Sequence, residues 1–288
     1  MSSAAPVKIR RALTDTPLAR MHEREVMRHG SRRHKPIPFG RFDRSKYPEA
    51  ALAIAFDAQR ALALGEYTAV DLFAQLASGL ALHGAPFDLV AAATRIPSDE
   101  IRHADLAFRM ARLLSERDVE VQFDPVSVNK RWTEAKSLEA IDVTIVEVSA
   151  IGETLSCALL GECRKRASDP TVRAIFSSIV ADEVHHARLG WYYLAWRAPQ
   201  WTRPERQRIA DRAGALVVDV EARFWNGRDA PEEARSAARA LGVLESEGQR
   251  KAVRSIMEDE VVPALDALGL GTSHAWRRRR RGGEARRR

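Results

Sequence analysis

The stretches "DEIRHADL" (Asp99–Leu106) and "DEVHHARL" (Asp182–Leu189) are two copies of Asp-Glu-x-x-His-Ala-x-Leu in one chain of 288 residues. On a helix, Glu and His three apart share a face, one turn from each other. Glu100 with His103, and Glu183 with His186, therefore each aim two metal-ligand groups at one spot. Each copy has a Gly-Glu upstream: "LGE" ends at Glu66, 34 residues before Glu100, and "IGE" ends at Glu153, 30 residues before Glu183. Both halves read as helix, short turn, helix. With turns near Ala85 and at Ser168–Asp169, residues equidistant from each turn meet in an antiparallel hairpin. At ~1.5 Å per residue, Glu66 falls level with Glu100 and His103, and Glu153 with Glu183 and His186. Glu147 overshoots by more than a turn. The expectation is that all six side chains converge.

Four carboxylates and two imidazoles at one buried level require positive charge. Two divalent cations supply it, each taking one His. One Glu from each of two helices and Glu-x-x-His from the other two is a known layout for di-iron and di-manganese helical bundles. A single Glu-x-x-His is usually a surface pair; the duplication changes the reading. Asp99 and Asp182 precede the histidines by one turn and are placed to accept an imidazole N–H, fixing the ligating tautomer. Gly65 and Gly152 allow close helix approach. Among neighbours, His185 is read as a surface residue and Tyr193 as a core aromatic on the face of His186. Trp191 and Trp196 brace the helices, and Cys157 fills a small buried place. Pro97, three residues before Glu100, should kink or restart its helix, with Ser98 or Asp99 as the cap.

Outward from the repeat, the fold class reads as all-α. Residues 1–46 hold Pro6, Pro17, Pro36 and Pro38 among many Arg and form a basic arm with one short helix at 17–28. Helical spacing starts at Tyr47, with Pro48 in the first turn and Gly84 ending the helix. Further helices are expected to about Arg117, over 134–167, over 170–197, over 204–226 and over 231–269. The segment "RDVEVQFDPVSVNKRW" is a connector, and no stretch alternates long enough to make a sheet. This gives a four-helix bundle over 47–200, added C-terminal helices over 201–270, and a disordered Arg-rich tail over 271–288.

The formal charge is +7, but it is not evenly spread. Residues 275–288 carry +7 and residues 1–46 carry +8, which leaves −8 for the body. The Arg-rich end reads as solubilising rather than as a nucleic-acid contact, since no aromatics are interleaved with it. Two cysteines six apart make neither a CxxC pair nor a disulfide framework, so a reducing cytoplasm is expected. No apolar run is read as approaching the length of a membrane span, and no signal peptide is expected at the N-terminus.

On these motifs the chain resembles the ferritin-like di-metal carboxylate superfamily over residues 47–197. With Asp-Glu-x-x-His in both halves it is especially similar to bacterial multicomponent monooxygenase hydroxylases and their oxidase relatives. The resemblance implies metal ligation, and with it the catalytic role, at Glu66, Glu100, His103, Glu153, Glu183 and His186. It implies two iron ions, with manganese or a mixed pair also compatible, and an oxidoreductase that uses O₂ to oxidise a small organic molecule. An external electron donor, a reductase or ferredoxin, is expected because no flavin or Fe–S motif is present. A ferroxidase, an iron-handling protein or a di-manganese peroxide-removing protein is the alternative, and a homodimer is left open. The chain departs from ferritins and rubrerythrins in having Phe73 and Leu160 where many carry Tyr, and in lacking the cysteines of a rubredoxin module. Arylamine N-oxygenases have a further His where this chain has Ile179.

Overall fold

Why the first long helix stops at Leu82 is written in the residues that follow it. Gly84 takes a positive φ of 68°, a conformation open to glycine, and the Ala85 N–H bonds back to the Leu80 carbonyl at 3.0 Å. That is a Schellman closure, and the chain re-enters a helix at Phe87. The computed structural model describes residues 7–9, 16–23, 27, 35–117, 119–123, 137–224 and 229–279. Its elements are β1 (Val7–Ile9), α1 (Pro17–His22), α2 (Glu49–Leu82), α3 (Phe87–Ser115), β2 (Val121–Phe123), α4 (Leu138–Arg166), α5 (Pro170–Arg197) and α6 (Arg203–Phe224). They continue with α7 (Arg235–Ala240), α8 (246–267) and α9 (Thr272–Arg277). The fold is all-α apart from one antiparallel pair, in which β1 and β2 set Lys8 opposite Gln122.

The second hairpin turns by side-chain capping. Asp169 accepts the N–H groups of Thr171 and Val172 at 2.8 and 3.1 Å, the N-cap bond that satisfies two orphan donors. Pro170 then takes the first helical position, where no N–H is needed. Tyr47 donates to the other Asp169 oxygen at 2.9 Å.

Several expectations change. Of the helix expected over 17–28, Pro17–His22 is helical, and residues 24–26 and 28 lie outside the described residues. The connector contributes a three-residue strand, and its residues 118 and 124–132 lie outside the described residues. Pro97 neither ends nor restarts α3, which is continuous from Phe87 to Ser115. The single helix expected over 231–269 is two, because Gly242 adopts φ 77° and the Val243 N–H closes onto the Ala238 carbonyl at 3.0 Å. The tail expected from 271 begins with an ordered helix: Trp276 on α9 is buried, and the Arg279 guanidinium lies 3.9 Å over its ring. Residues 280–288 lie outside the described set.

α4 is long and apolar enough to cross a membrane by length and composition, with a mean hydropathy of 1.6 over its most apolar window. Reading the sequence for uninterrupted apolar runs missed it because Glu147 and Glu153 divide the stretch. Both glutamates, and the fully buried Asp142, would be costly in hydrocarbon; here Glu147 pairs with Arg223 and Asp142 with Tyr193 and Trp201.

The chain divides into two compact units. The first comprises Met1–Glu134, Cys163–Ile179 and Ala230–Val243; the second comprises Ala135–Glu162, Val180–Asp229 and Leu244–Arg288. The first holds Glu66, Glu100 and His103, and the second holds Glu153, Glu183 and His186.

Candidate metal centre

In the first unit, α2 supplies Glu66 and α3 supplies Glu100 and His103. The antiparallel hairpin brings them together at the level anticipated from the turn. His103 Nδ1 lies 3.6 Å from Glu66 Oε2 and 3.7 Å from Glu100 Oε2. Each of the three offers a ligand atom within 4.8 Å of the others. Their burial is deep: His103 is 0 % exposed, Glu100 1 % and Glu66 7 %. Arg102, between the two ligands in sequence, projects from another side of α3 and donates to Ser178 Oγ at 2.8 Å.

The second unit repeats the arrangement with Glu153 from α4 and Glu183 and His186 from α5. His186 Nδ1 lies 3.4 Å from Glu183 Oε2, and the three again offer ligand atoms within 4.8 Å of one another. Glu183 and His186 are fully buried and Glu153 nearly so. In both units the nitrogen facing the carboxylates is Nδ1.

The two halves are supported differently. α2 is a regular α-helix through Glu66. α4 instead widens to a π-helix over Ile145–Glu153, which ends on the ligand itself. A π-turn inserts a residue and shifts the helix phase, a device common at functional sites. Here it separates Glu147, paired with Arg223 of α6 at 2.5 Å, from Glu153, which faces Glu183 and His186. The widened turn is clamped against α5. Ser149, fully buried, donates to the His186 carbonyl at 2.9 Å. Gly190, one turn beyond His186, packs so closely that a Cβ there would meet the Ala150 nitrogen at 2.6 Å. The small residue needed for close approach is thus Gly190. Gly65 has open space around it, and Gly152 faces the Glu147 carbonyl of its own helix.

The aspartates before the histidines are not equivalent either. Asp182 is buried. Asp99 remains partly exposed and pairs with Arg95 Nε at 3.4 Å. His185 is exposed, as its position 100° from His186 requires. Tyr193 is a core aromatic: fully buried, it donates to Asp142 Oδ1 at 2.7 Å. Trp201 donates to Asp142 Oδ2 at 2.9 Å and Arg197 approaches at 3.4 Å. Burial raises the Asp142 carboxyl to about 6 against the opposing pull of Tyr193, Arg197 and Trp201. The same burial, reinforced by Asp142, pushes the Tyr193 phenol well above its ordinary range. Trp191 bonds Thr154 at 3.1 Å and Trp196 stacks edge-on against Tyr193.

The sequence reading missed Ser149, Gly190 and the π-turn. Their signal was faint: the residue after the motif is Ala107 in one copy and Gly190 in the other. It also passed over Gln59, a polar residue on the buried face of α2 seven positions before Glu66.

The donor sets fit a divalent ion. Two carboxylates and one imidazole balance a 2+ charge, and N/O ligands suit iron, manganese or zinc. Two ligand atoms on one such ion sit at most about 4.4 Å apart, twice a ~2.2 Å bond, so each triad needs only a small side-chain adjustment. Three protein ligands per ion leave positions open for substrate or water, as in catalytic rather than structural sites. The sequence matches no known family model and no curated protein.

Proposed function

We propose that each Glu-Glu-His triad holds one divalent metal ion, and that the two ions act as a pair in an O₂-dependent oxidation of a small organic molecule. One observation carries this reading: two duplicated, deeply buried triads, in each of which Nδ1 of the histidine faces carboxylates. Burying two carboxylates beside an imidazole without a cation would cost several kcal/mol in each triad. Pairing of the ions rests on the duplication in sequence and on the resemblance to ferritin-like di-metal carboxylate proteins of the oxygenase and oxidase branch.

Bound iron would supply the redox chemistry, passing electrons from an external donor to O₂ while the organic molecule is oxidised. The chain's own residues do the rest. Glu66, Glu100, Glu153 and Glu183 provide negative charge and oxygen atoms that shift easily between one and two contacts. His103 and His186 present Nδ1. Buried Ile, Leu, Ala and Phe around both triads exclude water. Ser149 and Gly190 hold α4 against α5, so that Glu153 is presented at the level of Glu183 and His186. A reducing cytoplasm and a reductase or ferredoxin as donor belong to the same proposal.

The test is anaerobic loading of the full chain with Fe(II), followed by exposure to O₂ with an added chemical reductant and a panel of small apolar molecules. O₂ consumption coupled to an oxidised organic product supports the reading. Iron oxidation that builds a mineral core in a large cage, or peroxide removal by the manganese-loaded chain without organic product, would replace it with the iron-handling or peroxide-removing alternative.

A further inference from the structure

Asp142 and Tyr193 form a buried polar pair at a place where the other copy of the hairpin has none. Asp142 on α4 and Tyr193 on α5 are both fully buried, and the phenol donates to Asp142 Oδ1 at 2.7 Å. Trp201 donates to Oδ2 at 2.9 Å and Arg197 Nε stands 3.4 Å from Oδ1, so the carboxylate is held from both sides. Counting from the histidines, Tyr193 corresponds to Met110 and Trp196 to Leu113 in the first copy. Counting from Glu153, Asp142 corresponds to Ala55, or to Phe56 once the inserted π-turn residue is allowed for. Met110 and Ala55 are fully buried, so apolar side chains serve these positions in packing. Apolar groups in place of both hydrogen-bond partners are often nearly neutral in stability. Packing alone therefore does not call for the polar pair.

The chemistry open to it is proton-coupled electron transfer. Burial beside Asp142 pushes the phenol well above its ordinary range, so Tyr193 does not ionise by itself. Loss of an electron changes this, because an oxidised phenol is a strong acid and needs a base already in contact. Asp142, raised by burial to about 6, is largely a carboxylate at neutral pH and supplies that base. Tyr193 also stands between two other groups. It follows His186 by seven residues, two helical turns less about 20°, so it shares the face of that ligand at a rise of about 10 Å. The partly exposed Trp196 ring meets it edge-on, with centroids 5.6 Å apart. All of these residues belong to the second unit.

We infer that Tyr193 is a one-electron relay between the second triad and a surface entry point at Trp196, with Asp142 as the acceptor of its proton. The inference rests on the metal-site reading above and adds the route by which an external donor supplies electrons. The phenol gives one electron to an ion of the second triad that O₂ has oxidised. Its O–H bond breaks, and the proton crosses the 2.7 Å hydrogen bond to Asp142 Oδ1. One electron from the donor, entering at Trp196, then reduces the phenoxyl radical as the proton returns from Asp142. The net result is one electron moved from donor to metal, with Tyr193 and Asp142 restored. Trp201 and Arg197 keep Asp142 oriented and take no part in the transfer.

The experiment compares the full-length parent with Tyr193→Phe, Tyr193→Met and Trp196→Leu, the last two carrying the first copy's residues. Each is loaded with Fe(II) under anaerobic conditions, mixed with O₂ without reductant and frozen for electron paramagnetic resonance. The parent should show a tyrosyl radical whose hyperfine splitting narrows when ring-deuterated tyrosine is incorporated, and both Tyr193 variants should lose it. Metal content is read on the same samples, so that loss of the signal is not mistaken for loss of iron. Each metal-free protein is also photo-oxidised from solution with ruthenium tris-bipyridyl and persulfate. A radical at buried Tyr193 outlives one at exposed Tyr192, so a long-lived signal should appear in the parent and be lost in all three variants. The inference is overturned if a parent that binds metal and reacts with O₂ shows no tyrosyl radical, or if the radical survives in either Tyr193 variant. It is equally overturned if the photo-oxidised parent gives no long-lived signal, or if any variant keeps that signal. A parent that binds no metal yet gives the long-lived radical, lost in the variants, breaks the metal reading alone.

Discussion

The two Asp-Glu-x-x-His copies are near-identical as sequence and unlike as structure. Around Glu100 and His103 the helices are regular, the preceding aspartate leans out to Arg95, and the residue after the motif is Ala107. Around Glu183 and His186 the facing helix widens into a π-turn, Asp182 is buried, and Gly190 lets the backbones approach to a distance no Cβ tolerates. Ligand identity is thus duplicated while ligand support is not. The difference lies in how each triad is held, the second by the Ser149 hydrogen bond to the His186 carbonyl and the close approach at Gly190.

The comparison breaks most visibly at the ligands. Glu66→Ala and Glu183→Ala each remove a negative group that water cannot replace at equal charge, and each should abolish stoichiometric binding of the metal pair. Elemental analysis after anaerobic gel filtration reads this, and full metal content in both variants would refute the ligand assignment. Gly190→Ala makes the second copy resemble the first in sequence. It should cost about 1–3 kcal/mol through overpacking of α5 on α4 and release metal from the second triad before the first. Gly65→Ala, with open space around it, should be neutral or stabilise by about 0.5–1 kcal/mol. Thermal melts of the two variants that shift equally would contradict the clamp.

The aspartates give the next contrast. Asp182→Asn keeps volume but removes charge at a buried place, and metal affinity should fall roughly 10- to 100-fold if Asp182 orients a ligand histidine. Asp99→Asn, at a partly exposed ion pair, should change affinity less than about 2-fold, since such pairs contribute little. Equal effects in Fe(II) titrations would erase the distinction between the copies.

Asp142 concerns pH. Its folded carboxyl titrates near 6, above its unfolded value of 3.8. The native state therefore binds the extra proton between those values, and stability contributed by this group falls as pH rises from about 4 to 6, by at most about 1.4 kcal/mol per unit. Urea melts across that window should show a shallower fall in Asp142→Asn. An unchanged slope would mean other groups govern it. Smallest of all, Glu147→Ala removes only the pair with Arg223, and should leave metal content unchanged at a cost of about 0–1 kcal/mol.

How much of this was legible beforehand follows from periodicity. The α2–α3 and α4–α5 hairpins, their turns at Gly84 and Asp169, and the levels of Glu66 and Glu153 follow from the helical rise and from capping residues. The exclusion of Glu147 followed from the same counting. The π-turn did not, because an inserted turn leaves the apolar pattern of "IVEVSAIGE" ambiguous by one position. The break at Gly242 was hidden by apolar residues on both sides of it. Asp99 and Asp182 looked alike because burial depends on what packs from elsewhere, which one helix's pattern does not contain. Trp276 was missed because five consecutive arginines beside it dominate the composition of that end.

The duplicated triads are expected to hold one ion each. Anaerobic titration of metal-free protein with Fe(II), followed by equilibrium dialysis and elemental analysis, measures it directly. Saturation at two ions per chain is the expected result. In Glu183→Gln the second triad should empty first, with any ion that remains held by Glu66, Glu100 and His103. Saturation at zero or one ion in the parent, or two tightly held ions in both Glu183→Gln and Glu100→Gln, would contradict it.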